Sequence, residues 1–388
     1  MSNAPLPLVT VLTPVYNGAK YLATCIESVL AQTYQNWEYI VINNCSTDGS
    51  LDIASSYARR DARIRVQSNR RFVGVIENHN AAFCSMSQES RYCKVVAADD
   101  YLFPECIEKL VGVCEREPRV SIVGSHAIHD DGFRRVGLPP GRSIFEGRDV
   151  CKLYLLGVIE SFGTPSTVLY RSSLVRSRDP FYPGSFPNAD LAACLASLEG
   201  TDFAFVHQIL CYERIHNESV SADLGRSLSF LIDNLQFLGE YGSKYLTAQE
   251  IGSRKHELLR EIYARLAADV VRLSPSPYWK YQWERLMSLG YPRSRLAMAG
   301  AISMRVADLL LNPKHTVERV INRRNRRKRE EATAGPKSVP PRECRHPAPR
   351  LGDVQDATRP AADDPAKGVG ADMHPVPGRA TAILGRRI

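Results

Sequence analysis

The sequence predicts an α/β protein: a mainly parallel sheet with helices on both faces, followed by a helical region and a disordered tail. Three observations carry this. Short β-rich runs alternate with amphipathic helical segments through the first 125 residues, helical spacing of apolar residues takes over from about 227 to 311, and beyond 330 Pro, Gly, Ala and charge replace aromatics. These shifts divide the chain into segments 1–125, 126–225, 226–312 and 313–388.

Taken in order, the runs VTVLTPV (9–15), YIVI (39–42), IRVQ (64–67) and KVVA (94–97) are each followed by helical spacing, at 19–32, 49–60, 75–86 and 105–116, and VSIVG (120–124) closes the series. Parallel strands place ligands at their carboxyl ends. After His126 the pattern becomes mixed: a turn at HDDGFRR, a helix near 149–156, a strand near 166–170, a helix near 188–199 and a strand at 202–206. SFLIDNLQFLGEY and HELLREIYARLAADVVRL then repeat apolar residues at three- and four-residue spacing, which makes 226–312 a helical appendage. The tail cannot bury enough apolar surface to offset its ordering entropy.

With 388 residues, 44% hydrophobic and 24% charged, the chain can bury a real core. No run of about 18 apolar residues is present, and the opening MSNAPLPLVTVLTPVY has neither a basic start nor a cleavage site, so the expected location is cytoplasmic. Ten cysteines without a CxxC pair read as reduced, buried small hydrophobes, not as disulfide partners or zinc ligands. The net charge of +8 does not describe a nucleic-acid surface. Residues 314–329 hold eight Lys or Arg against the single acid Glu318, so nearly the whole excess lies there, and no specific nucleic-acid partner is expected. Just before it, LAMAGAISMRVADLLL carries Leu296, Met298, Ile302, Val306 and Leu309 at helical spacing. Two readings stand for 296–329: peripheral contact with the inner face of a membrane, or a helix packed on the domain with a solvated basic tail.

Three strand ends carry candidate chemistry. Thr13-Pro14-Val15-Tyr16-Asn17-Gly18 is a strand-to-helix turn where Tyr16 could stack on a flat base, although an ordinary loop explains it as well. After the second strand, the amides of Asn43 and Asn44 can read a nucleobase edge, while Asp48 is better read as a cap for the next helix. The fourth strand ends in VVAADDYLFP, where Asp99 and Asp100 either share a hard divalent cation or form a solvated turn. Finally, Pro187 and Asn188 can start a helix whose apolar face is Leu191, Cys194, Leu195 and Leu198, which puts Asp190 in its first turn.

TPVYNGAKYLATCIESVLAQTYQNWEYIVINNCSTDGS followed by VVAADDYLFP resembles the donor-binding half of family-2 glycosyltransferases, whose fold is named GT-A. The likeness continues through SNRRFVGVIENHNAA, with Gly74 and Asn80, and through GTPSTVLYRSSLV to CYERIHNESVSA, covering roughly 8–222. It implies a nucleotide-sugar-binding half at 1–125 and an acceptor-binding half at 126–225. By the same resemblance Thr13, Pro14, Tyr16 and Asn44 hold the nucleotide, Arg71 lies in the loop that closes on the base, and Asp99 binds metal and donor, with Asp100 and His216 beside it. Asp190 matches the general base. The implied cofactor is Mg or Mn, and the implied partners are a nucleotide-sugar donor and a saccharide or lipid-linked acceptor.

Three positions depart from the family pattern. Asn43-Asn44 replaces two aspartates, Ala97 replaces the first aspartate of DxD, and Ala189 precedes Asp190 where Glu is common. The expected function is an inverting, metal-dependent, non-processive transferase of bacterial surface polysaccharide or glycolipid synthesis, since no QxxRW signature of the processive synthases is present. A nucleotidyltransferase-like α/β enzyme is the first alternative, though the first turn has only Gly18 where a phosphate loop needs several glycines. A catalytically inactive nucleotide-sugar-binding protein is the second.

Overall fold

The computed structural model describes residues 5–129, 132–133, 137–159, 162–214, 226–271 and 279–311. Its centre is one mixed sheet with the order β3-β2-β1-β4-β9-β6-β10-β5, to which β7 adds on β6 and β8 on β10. The first four strands, β1 (Val9–Val15), β2 (Trp37–Asn43), β3 (Ile64–Ser68) and β4 (Tyr92–Val95), are parallel, as the βα alternation requires. Between β4 and β6 (Val120–His129) lies the antiparallel β9 (Val168–Arg171). The long β10 (Asp202–Glu213) runs parallel to β6 and carries the short antiparallel β5 (Tyr101–Leu102) and β8 (Ile144–Glu146). The remaining strand, β7 (Gly132–Phe133), pairs antiparallel with β6. Because β6 runs through residue 125, the sheet is continuous from the parallel half into the mixed half.

Period-two alternation sorts the strand side chains into two cores. From β2, Tyr39 and Val41 enter the layer built with α1 (Ala19–Leu30), α2 (Ser50–Ala58) and α4 (Cys106–Arg116). Ile40 and Ile42 enter the opposite layer, with α3 (Val75–Cys84), α5 (Gly147–Leu155) and α7 (Ala189–Ser197). The helices α8 (Arg226–Tyr245), α9 (Ala248–Val271) and α10 (Trp279–Ser288) extend this second layer through Ile232, Leu258, Ile262 and Leu286. Burying each such aliphatic side chain contributes about 1.5–3 kcal/mol, so the appendage is held chiefly by its apolar stripe. The five-residue α6 (Ser172–Arg176) follows β9.

The last described helix, α11 (Arg295–Leu311), packs on α9. Met298 packs on the core and Ala301 is buried, Ile302 and Leu309 are half-buried, while Leu296 and Val306 point out, so the apolar residues named in the sequence divide between the two sides of the helix. Among the described residues no helix is long and apolar enough to cross a membrane.

Candidate active site

The carboxyl ends of β1 to β4 lie side by side, as the parallel order dictates, and their loops are bound to one another. Asn17 and Cys45 both take left-handed backbone angles, φ 51° and 57°, which turn the two loops toward each other. The Asn17, Gly18 and Ala19 amides donate to Ser46 Oγ (3.0 Å), Ser50 Oγ (2.9 Å) and Asp48 Oδ2 (2.9 Å). Asp48 also accepts from the Ser50 amide at 3.0 Å, as the capping reading expected. Burial pushes its carboxyl up, but the hydrogen bonds from Ser50 and the Ala19 amide outweigh that and hold it below the ordinary range. The amides that open α1 are thus already satisfied. Three amides that a phosphate-cradling turn would use, those of Asn17, Gly18 and Ala19, are taken by side chains of the second loop.

Thr13, expected to touch the nucleotide, has its side chain engaged inside the protein. Thr13 is wholly buried; its hydroxyl donates to the Val96 carbonyl at 2.9 Å and lies 2.8 Å from Tyr39 Oη, tying β1 to the end of β4. The Asn44 amide is likewise engaged inside the protein. Its Nδ2 donates to the Val73 carbonyl (2.8 Å), and its Oδ1 accepts from the Val73 amide (3.0 Å) and from Asn69 Nδ2 (2.9 Å). With 3% exposure, this amide braces the loop before α3. Asn43 is turned inward too, accepting from the Ser46 amide at 3.1 Å.

That braced loop carries Phe72 and Arg71. Phe72, which sequence reading passed over, packs edge-on against Tyr16 with ring centroids 4.8 Å apart, and both rings are about half exposed. They form an exposed aromatic pair between the first and third strand ends, next to half-buried Pro14. The Arg71 side chain is 81% exposed and 3.4 Å from Glu77.

At the end of β4 the chain turns through a Asp100 amide to Ala97 carbonyl bond of 3.0 Å, and Asp99 and Asp100 separate in role. Asp100 is buried: its Oδ2 accepts from Ser166 Oγ (2.5 Å) and its Oδ1 from the Arg214 amide (2.9 Å). Burial and the neighbouring Asp99 push its carboxyl up to about 7, against those two hydrogen bonds, and Glu213 adds to the rise. Asp99 is half-buried, and its backbone carbonyl accepts from Arg214 Nε at 3.1 Å. Arg214 spreads over the Tyr21 ring, 4.4 Å from its centroid. The turn is fixed from below by Lys94, a wholly buried strand residue that donates to the Ser166 and Val168 carbonyls. Neither Lys94 nor Arg214 stood out in the sequence, because a lysine in a strand and an arginine after one carry no motif.

A divalent cation needs oxygen lone pairs. Each Asp100 carboxylate oxygen accepts one hydrogen bond, so the residue braces the turn. Asp99 is the carboxylate that fits, and Ala97 offers none. Among the described residues, no group of three or more His, Cys, Asp or Glu is placed to hold a metal. His216 lies outside the described residues.

Asp190 falls in the first turn of α7, half-buried, as the helix-start pattern expected. The segment before it is anchored twice. Asn80 of α3 donates to the Tyr182 carbonyl (2.8 Å) and accepts from the Tyr182 amide (2.9 Å). Asn188 donates to Asp233 of α8, whose other oxygen accepts from Arg285 of α10. The Asp190 carboxylate is near enough to Tyr182, Tyr154 and Cys194 to add to the upward shift that burial gives each of them. Of the other acids, Asp202 pairs with Arg119 at the far end of β10, and Glu213 is buried, accepting from Thr164 and lying 3.3 Å from His129 Nε2.

Comparison with known proteins agrees with this geometry. Residues 10–177 match the family model described as glycosyl transferase family 2. An uncharacterized glycosyltransferase of Haemophilus influenzae is 36% identical over 120 residues, 31% of this chain and 36% of the relative. TuaG of Bacillus subtilis, whose name assigns it to teichuronic acid biosynthesis, is 35% identical over 131 residues, 32% of this chain and 50% of its own. The chain therefore matches between a third and a half of the length of these relatives. Among solved structures, S. aureus TarS in complex with UDP-GlcNAc superposes with a TM-score of 0.54 over 72% of this chain and 80% of that one, at 15% identity, a likeness of fold alone. Residues 10–177 therefore resemble a family-2 glycosyltransferase domain, and the fold is GT-A-like.

Proposed function

We propose that this protein is an inverting, non-processive glycosyltransferase that moves one sugar from a nucleotide-sugar donor to an acceptor hydroxyl. The observation that carries the reading is Asp99, held at the end of β4 by a turn that Lys94, Ser166, Asp100 and Arg214 lock in place, within a family-2 domain. On this reading residues 1–125 bind the donor and 126–225 the acceptor. The base lies against Tyr16 and Phe72, Pro14 lines its approach, and Arg71 meets it from the loop.

Asp190 takes the proton from the acceptor hydroxyl as that oxygen attacks the anomeric carbon. The bond to the diphosphate breaks in the same step, its electron pair leaves with the nucleoside diphosphate, and configuration inverts. General-base assistance of this kind is worth about 10²- to 10⁴-fold. Asp99 would hold Mg or Mn, which when bound neutralises the charge gathering on the leaving diphosphate. The acceptor is a saccharide or a lipid-linked saccharide of a bacterial surface polymer or glycolipid, a class that the name of TuaG supports. The nine free cysteines among the described residues, seven of them buried, fit a reducing, cytoplasmic setting.

The test is Asp190→Asn, assayed with UDP-, GDP- and dTDP-sugars in the presence of Mn²⁺. Turnover should fall at least about 100-fold while donor affinity stays within a few-fold. A variant that transfers sugar nearly as well as wild type moves the base elsewhere, with Glu213 next. Ala97 in place of a carboxylate favours a second reading, an inactive donor-binding protein; saturable donor binding with no transfer or hydrolysis by the wild-type protein would establish it.

A further inference from the structure

Asparagine at the start of a helix ordinarily turns its side-chain oxygen onto an amide of the first turn. Asn188, which opens α7, does otherwise: its side chain makes no cap, and its amide donates to Asp233 of α8. Asp233 is wholly buried, and its second oxygen accepts from Arg285 of α10, whose guanidinium also donates to Ser229 Oγ at 3.2 Å. The residue two places before Asp190 is therefore tied to a buried ion pair between two later helices. A hydrogen bond to an ionised, buried carboxylate is a stronger anchor than a neutral local cap.

Three more contacts with α8 hold the same stretch. Gln236 donates to the Ser185 carbonyl at 3.2 Å, the Phe186 and Phe237 rings lie with centroids 5.0 Å apart, and Tyr245 donates to the Leu195 carbonyl. Along the chain these fall on both sides of Asp190. Tyr154 of α5, close enough to Asp190 to feel its charge, donates to Asn234 of α8 at 2.9 Å. A general base works only within hydrogen-bond reach of the proton it takes, and a misplacement of about 1 Å can cost about 100-fold in rate. A carboxylate in the first turn of a nine-residue helix is placed by whatever fixes that turn, and here α8 fixes it. We propose, on the reading of Asp190 as the general base, that Asn188 and Asp233 are positioning residues through which α8 sets the placement of the Asp190 carboxylate. The C-terminal helices are then part of the transfer machinery and not an appendage to it.

The test is a double-mutant cycle in the full chain, with whichever of the UDP-, GDP- and dTDP-sugars the wild type turns over in Mn²⁺ as the probe. Asn188→Ser keeps a good helix cap, but its shorter side chain breaks the bond to Asp233. It should lower kcat at least about ten-fold and leave the donor KM within about two-fold. In an Asp190→Asn background the same change should cost less than about two-fold, because no base is left to misplace. Tyr245→Phe deletes only a hydroxyl and should lower kcat at least about three-fold with the same background dependence, so a poorly folding Asn188→Ser still leaves a decisive variant. Wild-type kcat in the variant, a loss confined to KM, or an equal loss in both backgrounds overturns the proposal, since a role in folding alone acts on both backgrounds alike. If Asp190→Asn by itself leaves turnover intact, or the wild type turns over no donor, the base reading falls and takes this proposal with it. A large loss in Asp190→Asn beside full activity in Asn188→Ser sinks the proposal and spares the reading.

Discussion

Replacing Arg285 with Met should destabilise this protein strongly, although the change lies outside the sheet core. Asp233 is completely buried, and its two oxygens accept from Arg285 and from Asn188. Arg285 also donates to Ser229 Oγ at 3.2 Å, and its side chain is 12% exposed. Burial pushes the Asp233 carboxyl up, and Arg285 and Asn188 pull it back only in part, so the acid stays above its ordinary value. Methionine fills the arginine stem but leaves the carboxylate without its cation. Breaking a buried pair in this way costs about 3–5 kcal/mol, which for a domain of this size lowers Tm by roughly 10 °C. The loss must depend on pH. A carboxyl whose folded pKa is raised gives its full contribution below its unfolded value near 4 and loses it as pH rises through the folded value. Without Arg285 that rise is larger, so the deficit against wild type should be greater at pH 8 than at pH 5. Adding Asp233→Leu should recover most of it, because an apolar pair of similar volume is often neutral there. Urea denaturation at both pH values reads all three. A deficit under about 1 kcal/mol, or one equal at both pH values, would falsify the view that this pair joins the C-terminal helices to the start of α7.

Three further outcomes follow from the site. Asn44→Asp should cost about 1–3 kcal/mol and speed amide exchange at Val73, because a carboxylate oxygen would face the Val73 carbonyl now 2.8 Å from Nδ2; unchanged exchange counts against the bracing role. In chelator-treated protein, Asp100→Asn should be increasingly stable relative to wild type as pH rises from 4 to 8, since the Asp100 carboxyl, raised to about 7, loses its contribution over that interval. The ceiling on that difference is about 4 kcal/mol, and a difference that does not change with pH would contradict the burial argument. Tyr16→Ala should weaken nucleoside diphosphate binding by calorimetry about ten-fold or more, the scale of one base–aromatic stack, and wild-type affinity would take the base away from the Tyr16–Phe72 pair.

The parallel half was legible because its central strands β1 and β2 are buried almost throughout and read as near-continuous apolar runs, with a helix after each strand, while the edge strand β3 alternates. The same logic failed where the chain leaves that pattern. The strand expected at 202–206 continues to Glu213, because register shifts between Val206 and Ile209 and between Ile209 and Cys211 leave His207 to Ile209 out of regular alternation. Nothing local marks β9 as antiparallel, since its direction follows from where the chain returns to the sheet. For α11 the sequence left two readings open, because a helix's apolar periodicity gives a stripe but not which neighbour takes it; in the structure the helix packs on α9.

The site residues divide by a common physical rule. At the carboxyl edge of a parallel sheet, loops leave backbone donors and acceptors that must be paired, and an unpaired buried one costs about 1–3 kcal/mol. Polar residues gather there for that reason as well as for ligands, and sequence alone cannot say which purpose each serves. Thr13, Asn44 and Asp100 serve the first: they are at most 8% exposed, and their polar atoms hold Val96, Val73 and the Arg214 amide. Pro14, Tyr16, Arg71 and Asp99 retain exposed surface to meet a ligand. The departure at Asn44 then has a reason of its own. Only an amide can donate to the Val73 carbonyl and accept from the Val73 amide at once, whereas an aspartate, which only accepts, would oppose that carbonyl. Asparagine at 44 therefore closes the loop from within the protein, and places Phe72 against Tyr16 without help from a bound base.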